Sequence, residues 1–323
     1  MDSFYIEVSK IEGEKTRKEL TGLGIINKGV KIKQAGEMLL IPIISPVKGF
    51  GDIGKADFEI IEKEETPEQI LGFSPAIEKI GDIAIIDRHE PDAPKIAEAL
   101  IRQKKIKTVL VAQTPVGGEY RIRELSVLAG ETRTETLYKE NGCRYRIDLS
   151  KVYFTPRLAT ERARIADQIK YGDLVVDMFA GAGPFSILIA KKYPQAHVIA
   201  IDKNPDAIKY LRENARLNKV INLEIREGDA RDICMDITGA DHVIMNLPHS
   251  GLDFMEAALK VVRKGGFIHF YAISHEDELF NGLLLKINQI AKQLHLVITP
   301  VDKKIVRPYA PYQYNICIDF QVS

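Results

Sequence analysis

Short apolar runs alternate with longer amphipathic segments through the second half of the chain. The amphipathic segments are about 10–15 residues long and have helical periodicity. The pattern predicts seven strands, at 174–178, 197–201, 223–226, 242–245, 267–273, 296–299 and 314–320. Strands separated by helices are typical of a doubly wound α/β fold with a mostly parallel sheet. No helix precedes the last strand, so that strand could be antiparallel.

The first half of the chain shows two smaller α+β patterns. Residues 1–45 read as strand, helix and strand, whereas 46–66 carry glycine, proline and charge with little periodicity and are predicted to be a linker. Residues 67–151 predict a second α+β unit, with strands at 80–86, 108–112, 121–128 and 145–149 and a helix at 94–104. The Rossmann-like domain is then expected to occupy 152–323.

Composition excludes several classes of protein. Of 323 residues, 45% are hydrophobic and 28% charged, which is ordinary for a soluble globular protein. No apolar run approaches the roughly 20 residues of a membrane span, and the N-terminus does not resemble a signal peptide. The three cysteines are far apart, which argues against disulfides or a zinc site and fits a reducing cytoplasm. We therefore expect a cytoplasmic protein without a structural metal, acting as a monomer.

Charge is unevenly distributed although the totals balance at 45 basic and 45 acidic residues. Residues 102–164 hold 14 lysines and arginines against 7 acidic residues. A basic middle segment between acidic ends suggests a surface for a polyanion such as nucleic acid. The alternative is a solvated surface whose charge is merely uneven.

A glycine-containing turn follows the first predicted strand of the large domain. Asp177 ends that strand, and Gly181 and Gly183 allow the backbone to turn tightly and approach a ligand. A dinucleotide site would require a third glycine, and Pro184 removes a backbone donor that a pyrophosphate would use. S-adenosylmethionine has no phosphate, so the turn favours that cofactor.

Polar residues also follow the next three strands. Asp202 can accept the ribose hydroxyls of a nucleotide-like cofactor, and Asp229 stands where an adenine amino group would lie. Asn246, in the segment Asn246-Leu247-Pro248, follows the fourth strand and resembles the Asn-Pro-Pro-Tyr type of motif that serves methylation of nitrogens. The alternative is that these residues only cap helices or form a turn.

Two further segments carry charge that could be chemical or merely solvated. Arg157 and Glu161 are four residues apart on a predicted helix beginning at Pro156, which also fits a surface ion pair. Arg121, in a Gly-Gly segment, could contact phosphates or a guanine O6, or could simply lie on an exposed strand. Neither pattern decides between these alternatives.

Taken in order, these segments resemble the archaeal and eukaryotic tRNA (guanine-37-N1)-methyltransferases, a family of class I S-adenosylmethionine-dependent enzymes. The resemblance rests on Gly118-x-x-Arg121, Ala129-Gly130-Glu131, the segment from Tyr153 to Arg162, the segment from Asp177 to Phe185, and Asn246-Leu247-Pro248. It spans nearly the whole chain, and one departure follows the last motif, where this chain has His249-Ser250-Gly251.

The resemblance implies roles for residues that pattern alone leaves open. It makes Glu161 the general base, directs Arg121 to guanine O6, and places Asn246 and Pro248 at the base edge. It also assigns further residues to the catalytic set, Arg157 and Arg162, and to the cofactor set, Tyr153, Asp177, Phe179, Gly181, Gly183, Asp202, Asp229 and Asn246. The N-terminal unit would touch the outer corner of tRNA, and the anticodon loop would enter the site.

The expected reaction is methylation of N1 of guanosine 37 with a flipped-out base. Methylation of a wyosine precursor at the same nucleotide is compatible with the sequence. The main alternative is transfer of the aminocarboxypropyl group of the same cofactor during wyosine synthesis. A small-molecule methyltransferase and a non-catalytic tRNA-binding module are the remaining alternatives.

Overall fold

The computed structural model describes residues 1–61 and 65–323, so residues 62–64 of the predicted linker lie outside the described residues. The chain divides into two compact units, Met1–Thr66 and Pro67–Ser323. None of the helices in the described ranges is long and apolar enough to cross a membrane.

The first unit is one helix on a four-stranded antiparallel sheet. Its elements are β1 (Asp2–Ser9), α1 (Lys10–Gly22), β2 (Lys33–Ala35), β3 (Met38–Ile43) and β4 (Asp52–Asp57), in the sheet order β2-β3-β1-β4. Ile6, Leu20 and Ile41 form its buried core. The linker prediction is wrong for β4, which pairs with β1 along six residues. β4 is an exposed edge strand containing Gly54, so it lacks the apolar run by which a strand is recognised.

The second unit begins with a smaller sheet in the order β5-β6-β7-β8. Its elements are α2 (Pro67–Leu71), β5 (Ile77–Ile80), β6 (Ile83–Asp87), α3 (Ala93–Ile101), β7 (Thr108–Ala112) and β8 (Leu125–Gly130). The single strand predicted at 80–86 is instead the hairpin of β5 and β6. Gly81, with a φ of +61°, forms the turn. The turn was not predicted because apolar residues lie on both sides of it, so the hydrophobic pattern resembles one continuous strand.

The remaining elements form a hairpin and a large α/β domain. They are β9 (Glu135–Glu140), β10 (Cys143–Asp148), α4 (Ala159–Ala166), β11 (Leu174–Asp177), α5 (Pro184–Lys192), β12 (His197–Asp202), α6 (Pro205–Asn218), β13 (Leu223–Glu227), α7 (Ala230–Ile233), β14 (Ala240–Met245), α8 (Met255–Val261), β15 (Val262–His275), α9 (Asn281–Gln293), β16 (Ile298–Ala310) and β17 (Gln313–Val322).

The large sheet has the order β13-β12-β11-β14-β15-β17-β16. The first five strands in that order are parallel, and β17 runs antiparallel between β15 and β16. The predicted seven-stranded, mostly parallel sheet is confirmed, as is the antiparallel last strand. Because strand order reverses between β11 and β14, the carboxyl ends of the strands flank a crevice at which α/β proteins bind ligands.

The β9–β10 hairpin lies against α6 rather than continuing the smaller sheet. Asn214 accepts from the backbone N–H of Arg146 at 2.6 Å and donates to its carbonyl at 3.0 Å. Asn218, one helical turn later, repeats both bonds with Arg144 at 2.9 and 2.6 Å. Two asparagine side chains thus take the place of a neighbouring strand along the open edge of β10.

Candidate active site

The turn after β11 is joined to the end of β12 by hydrogen bonds. The backbone N–H of Gly181 donates to Asp202 Oδ2 at 2.6 Å, and the N–H of Asn204 donates to Asp202 Oδ1 at 2.9 Å. Burial raises the pKa of Asp202 against these bonds. Each carboxylate oxygen retains further lone pairs with which to accept from a ligand.

Gly181 and Gly183 are both in the left-handed region, with φ of +56° and +88°, but their surroundings differ. A Cβ on Gly181 would meet nothing nearer than the Tyr153 carbonyl oxygen at 3.9 Å. A Cβ on Gly183 would lie 2.3 Å from Leu211 Cδ1, in the packed core between α5 and α6. The assignment of Gly183 to the cofactor set therefore stays a prediction, and its Cα faces packed helices rather than the open side of the turn.

Asp177 is buried at the carboxyl end of β11. Its Oδ2 accepts from the Ser186 hydroxyl at 2.6 Å, whereas its Oδ1 has no hydrogen-bond partner among the described residues. Burial raises the pKa of this carboxyl to about 7, with Ser186 opposing the shift. A buried acceptor without a donor is costly, and a positively charged ligand group would supply one.

Asp229 and Phe179 are connected through Arg231 and Phe254. Asp229 caps α7 and accepts from Arg231 Nη2 at 2.7 Å, and these hydrogen bonds lower its pKa to about 2. The Phe179 ring packs edge-on against Phe254 at 4.9 Å, and the Arg231 guanidinium lies 4.7 Å from the same Phe254 ring. Arg231 therefore links the predicted adenine-side carboxylate to an aromatic wall.

The segment carrying Arg121 reaches the crevice from the smaller sheet. Glu119, in that segment, accepts from Lys203 at 2.6 Å, and Lys203 lies 4.0 Å from Asp229. Arg121 has a φ of +54°, and its guanidinium lies over the Tyr153 ring at 4.7 Å. The structure therefore brings Arg121 and Tyr153 together beside the Gly181 turn, as the shared site required.

A histidine and a tyrosine lie near Arg121. Tyr309 on β16 approaches His249 Nε2 at 3.3 Å, with the two rings packed edge to face. Burial and then the charge of Arg121 lower the pKa of His249, so its ring is neutral at neutral pH. The departure at His249 thus places a planar, uncharged ring near Arg121.

The Asn246-Leu247-Pro248 segment forms a tight turn after β14. The Leu247 carbonyl accepts from the Gly251 N–H at 2.8 Å, and the Pro248 carbonyl accepts from the Ile273 N–H at 3.1 Å. A Cβ on Gly251 would meet the Phe270 ring at 3.2 Å, which explains glycine at this position. These two bonds fix the backbone of the turn directly after Asn246, whose assignment to a base edge stays a prediction.

Glu161 is buried on the α4 face of the large sheet. Arg164 donates to both of its oxygens from Nε, at 3.1 and 3.0 Å, and to Oε1 from Nη2 at 2.6 Å. The Tyr271 hydroxyl also donates to Oε1 at 2.9 Å. Met245 pairs with Phe270 between β14 and β15, so Tyr271 and Asn246 lie at the same level of the sheet. Glu161 is thereby bonded to the β15 residue that lies level with Asn246.

The two other arginines of the Glu161 motif lie in different surroundings. Arg162 is buried, donates to Glu140 from Nε and Nη2 at 2.5 and 2.7 Å, and donates to the Thr155 carbonyl at 3.0 Å. Its guanidinium ties α4 to β9, and its assignment to the catalytic set stays a prediction. Arg157 is exposed and forms no ion pair with Glu161 in the described ranges. Residues 156–158 form a 3-10 turn, so the four-residue spacing does not align the two side chains.

The sequence did not identify the groups that hold Glu161. Arg164 follows it at the i+3 spacing, a signal that was available in the helix pattern. Tyr271, which bonds Glu161, and Asp319, which bonds Arg164, come from strands more than a hundred residues away, and no local pattern could have found these pairs. His269 is buried in the core, where its two ring nitrogens contact Asp319 and His242.

The crevice fits S-adenosylmethionine on features of its own. The unpartnered Asp177 Oδ1, the open side of Gly181 and the two Asp202 oxygens lie along successive strand ends. They offer acceptors for an ammonium group and for ribose hydroxyls, with room for a close approach to the backbone.

Three family models match successive segments of the chain. They are the TRM5/TYW2 methyltransferase domain over residues 136–299, the tRNA methyltransferase 5 N-terminal domain over 6–51, and the TYW2 N-terminal domain over 59–134. The second model covers much of the first unit, and the first covers the hairpin and most of the large domain.

Similar proteins match over most or all of the chain. A tRNA (guanine(37)-N(1))-methyltransferase Trm5b of Pyrococcus abyssi is 42% identical over 98% of both chains. A tRNA 4-demethylwyosine(37)-methyltransferase of Saccharolobus solfataricus is 34% identical over 76% of this chain and 94% of its own.

Two solved structures are also similar. A complex of aTrm5 with tRNALeu has a TM-score of 0.71 and 32% identity, over 99% of this chain and 100% of that one. Pyrococcus horikoshii TYW2 in complex with MeSAdo has a TM-score of 0.67 and 31% identity, over 80% and 95%. With the crevice and the strand order, these matches confirm the predicted resemblance: the chain belongs to the TRM5/TYW2 methyltransferase family.

Proposed function

We propose that this protein is a tRNA (guanine-37-N1)-methyltransferase that uses S-adenosylmethionine. The observation that supports the proposal most is a buried carboxylate, Glu161, which accepts a hydrogen bond from Tyr271 on β15, and Tyr271 lies level with Asn246 at the end of β14. The full-length similarity to a guanine-37 methyltransferase and the N-terminal match to tRNA methyltransferase 5 favour this substrate.

The residues proposed to hold the cofactor are Asp202 at the ribose, Asp177 at the charged methionine end, and Asp229 and Phe179 at the adenine end. When bound, S-adenosylmethionine supplies a methyl group on a positively charged sulfur, which is ready for attack by a nucleophile. The protein itself supplies hydrogen-bond acceptors and the backbone that forms the edge of the crevice. Asp202 already orders the Gly181 part of that backbone through a hydrogen bond.

Deprotonation of the base is the task of the protein. Guanine N1 carries a proton and is a poor nucleophile while neutral, so that proton must leave. We propose that Glu161 accepts it, while Arg121 stabilises the negative charge that spreads onto O6. Asn246 would hold the base edge. Stacked in an anticodon loop, guanine could not enter this crevice, so the base is expected to be flipped out.

Two related activities compete with this proposal. Methylation of a wyosine precursor is favoured by the similarity to a 4-demethylwyosine methyltransferase, which covers 76% of the chain. Aminocarboxypropyl transfer is suggested by the TYW2 part of the family, and TYW2 of known structure matches 80% of the chain. We propose that neither is the principal activity, because both matches leave out more of the chain than the guanine-37 enzyme does.

The deciding experiment is incubation of the protein with an unmodified tRNA transcript and S-adenosylmethionine labelled in its methyl group, followed by nucleoside mass spectrometry. We expect labelled 1-methylguanosine in the guanosine-37 transcript and none in a matched transcript with adenosine 37. An adduct of aminocarboxypropyl mass, or no product from guanosine 37, would contradict the proposal.

We propose further that residues 1–45 contact the outer corner of tRNA, that residues 67–151 bind the RNA backbone, and that the protein acts in the cytoplasm as a monomer. A tRNA substrate supports the compartment, and the basic residues between 102 and 164 support the RNA surface. Sedimentation of the free protein and of its tRNA complex tests the stoichiometry, which should be one to one.

A further inference from the structure

A continuous chain of buried polar side chains runs away from Glu161 across three strands. Arg164 bonds Glu161 with Nε and Nη2, and bonds Asp319 Oδ2 with Nη1 at 2.5 Å. Asp319 Oδ1 lies 2.8 Å from His269 Nδ1, and His269 Nε2 lies 3.0 Å from His242 Nδ1. Glu161, Asp319, His269 and His242 are all buried, and Arg164 is half-buried.

The chain ends near the protein surface at Asp173. His242 Nε2 lies 3.4 Å from Asp173 Oδ2, and the Asp173 side chain retains 14% of its exposure. The two histidine rings are stacked, with an angle of 4° between their planes. The groups therefore alternate carboxylate, guanidinium, carboxylate, imidazole pair and carboxylate.

Counting donors and acceptors limits the protonation of this chain. With all three carboxylates ionised, His269 Nδ1 and His242 Nε2 must each carry a proton, and one further proton must lie on either His269 Nε2 or His242 Nδ1. Burial, and then the charge of His269, lowers the pKa of His242 to about 3, so that ring is neutral. Burial opposes ionisation of Asp319, but the hydrogen bond from His269 and the bonds from Arg164 hold its pKa far below the usual range.

We propose that Asp319, held by His269 and His242, is a positioning residue that shares Arg164 with Glu161 and thereby sets the pH range over which Glu161 takes up the N1 proton. The proposal rests on the proposed role of Glu161 as base. Arg164 has one planar fork, and whatever draws it toward Asp319 weakens its hold on Glu161. Asp319 also places a second negative charge behind that guanidinium.

The groups that act on Glu161 and Arg164 come from every packed element. They are Arg164 itself on α4, Tyr271 and His269 on β15, Asp302 and Lys304 on β16, and Cys317 and Asp319 on β17. The Lys304 ammonium lies 3.8 Å from Glu161, but its side chain is 42% exposed. The Asp302 carboxylate lies 3.5 Å from Arg164, but its side chain is 56% exposed. Solvent screens both, so Asp319 is the strongest buried competitor for the guanidinium.

The test is the single-turnover rate of guanosine-37 methylation as a function of pH, between about pH 4.5 and 9. Asp319→Asn removes the buried competing anion, so Arg164 pairs more strongly with Glu161 and the carboxylate form of Glu161 is favoured. The acid limb should move to lower pH by about half a unit or more, and the plateau should fall about tenfold because the base is weaker. Affinity for tRNA should be unchanged.

His269→Gln provides a second variant with the opposite sign. Without the imidazolium, Asp319 depends on Arg164 for its only nearby charge and draws it from Glu161, so the acid limb should move to higher pH. If these residues had a merely structural role, both substitutions would lower the methylation rate without moving the acid limbs of the two variants in opposite directions. Asp319→Glu keeps the negative charge and should restore the wild-type midpoint.

Asp302→Asn is the matched control, since it removes an exposed carboxylate beside the same guanidinium and should leave the pH profile unchanged. Superimposable profiles of wild type, Asp319→Asn and His269→Gln would overturn the inference while the wild-type product still supports the proposed function. If Asp319→Asn does not fold, the shift expected of His269→Gln decides alone. Wild type that forms no 1-methylguanosine would overturn both proposals.

Discussion

At the scale of single residues, Gly181 and Gly183 share a conformation but face different surroundings. Both have positive φ, which costs an alanine roughly 1 kcal/mol. Only Gly183 has side chains in the way, with Leu211 Cδ1 at 2.3 Å and Ile187 Cδ1 at 2.8 Å from an added Cβ. One glycine therefore serves the core and the other leaves the crevice open.

Alanine at the two positions should separate stability from cofactor binding. We expect Gly183→Ala to cost about 2–4 kcal/mol of unfolding free energy, because a packed core must shift, and Gly181→Ala to cost only about 1 kcal/mol. Gly181→Ala should instead weaken S-adenosylmethionine binding at least tenfold. Urea denaturation and titration calorimetry measure the two effects. Equal destabilisation by both substitutions would contradict this division of roles.

Asp177 makes a pH-dependent contribution to stability. Its pKa is raised by burial from 3.8 to about 7, so the folded state binds this proton more tightly than the unfolded state. Stability is therefore lost as pH rises between these values, by at most about 1.4 kcal/mol per unit, and levels off above pH 7. Asp177→Asn lacks this penalty. Its unfolding free energy relative to wild type should rise by about 2 kcal/mol from pH 5 to pH 8; a constant difference would contradict the assignment.

At the scale of elements, the β9–β10 hairpin depends on two asparagines of α6. Each side chain both accepts from and donates to one residue of β10. An asparagine can do this because its amide carries both functions, whereas a carboxylate of the same shape can only accept. The hairpin in turn carries Glu140, the partner of the buried Arg162.

Asn214→Asp should therefore destabilise the domain strongly. The new carboxylate would face the Arg146 and Ala182 carbonyls, which now accept from Asn214 Nδ2 at 3.0 and 3.1 Å. We expect a loss of about 2–4 kcal/mol in urea denaturation. The matched control is Asn222→Asp. Asn222 lies in a loop and also donates to two carbonyls, but it is half-buried, so its substitution should cost less unfolding free energy. A smaller loss at Asn214 than at Asn222 would contradict the account.

Elements were predictable where their residues alternate or form apolar runs. The strands and helices from β11 to α6, and the polar residues at the strand ends, could be predicted from the hydrophobic periodicity and from the glycine and proline residues that end the elements. The partner of Arg162 lies 22 residues away on a hairpin. Tyr271, which bonds Glu161, lies on β15, and Asp319, which bonds Arg164, lies on β17, so the chemistry of this motif required the tertiary fold. Edge strand β4 was not predicted because its exposed residues lack an apolar run.

At the scale of the whole molecule, balanced charge conceals a basic middle region. Residues 102–164 hold twice as many basic as acidic residues, and Lys139 on the hairpin is exposed. Counterion release makes the affinity of such a surface for RNA fall steeply with salt, with a slope of about −0.7 for each single-strand phosphate contacted.

We expect tRNA affinity to fall at least about tenfold between roughly 50 and 200 mM salt, and Lys139→Ala to reduce the slope by up to about one contact. Filter binding at several salt concentrations measures both. Lys260→Ala, on an exposed face of α8, is the control and should keep the wild-type slope. Salt-independent binding would argue against the middle region as an RNA surface.

The central claim, that Glu161 removes the guanine N1 proton, is tested most directly by the single-turnover rate of Glu161→Gln across about pH 6–9. Glutamine keeps the shape but cannot take up the proton, so we expect methylation at least about 100-fold slower, with S-adenosylmethionine affinity intact. Glu256→Gln, on the exposed surface of α8, should match wild type. A Glu161→Gln rate equal to wild type across this range would contradict the account.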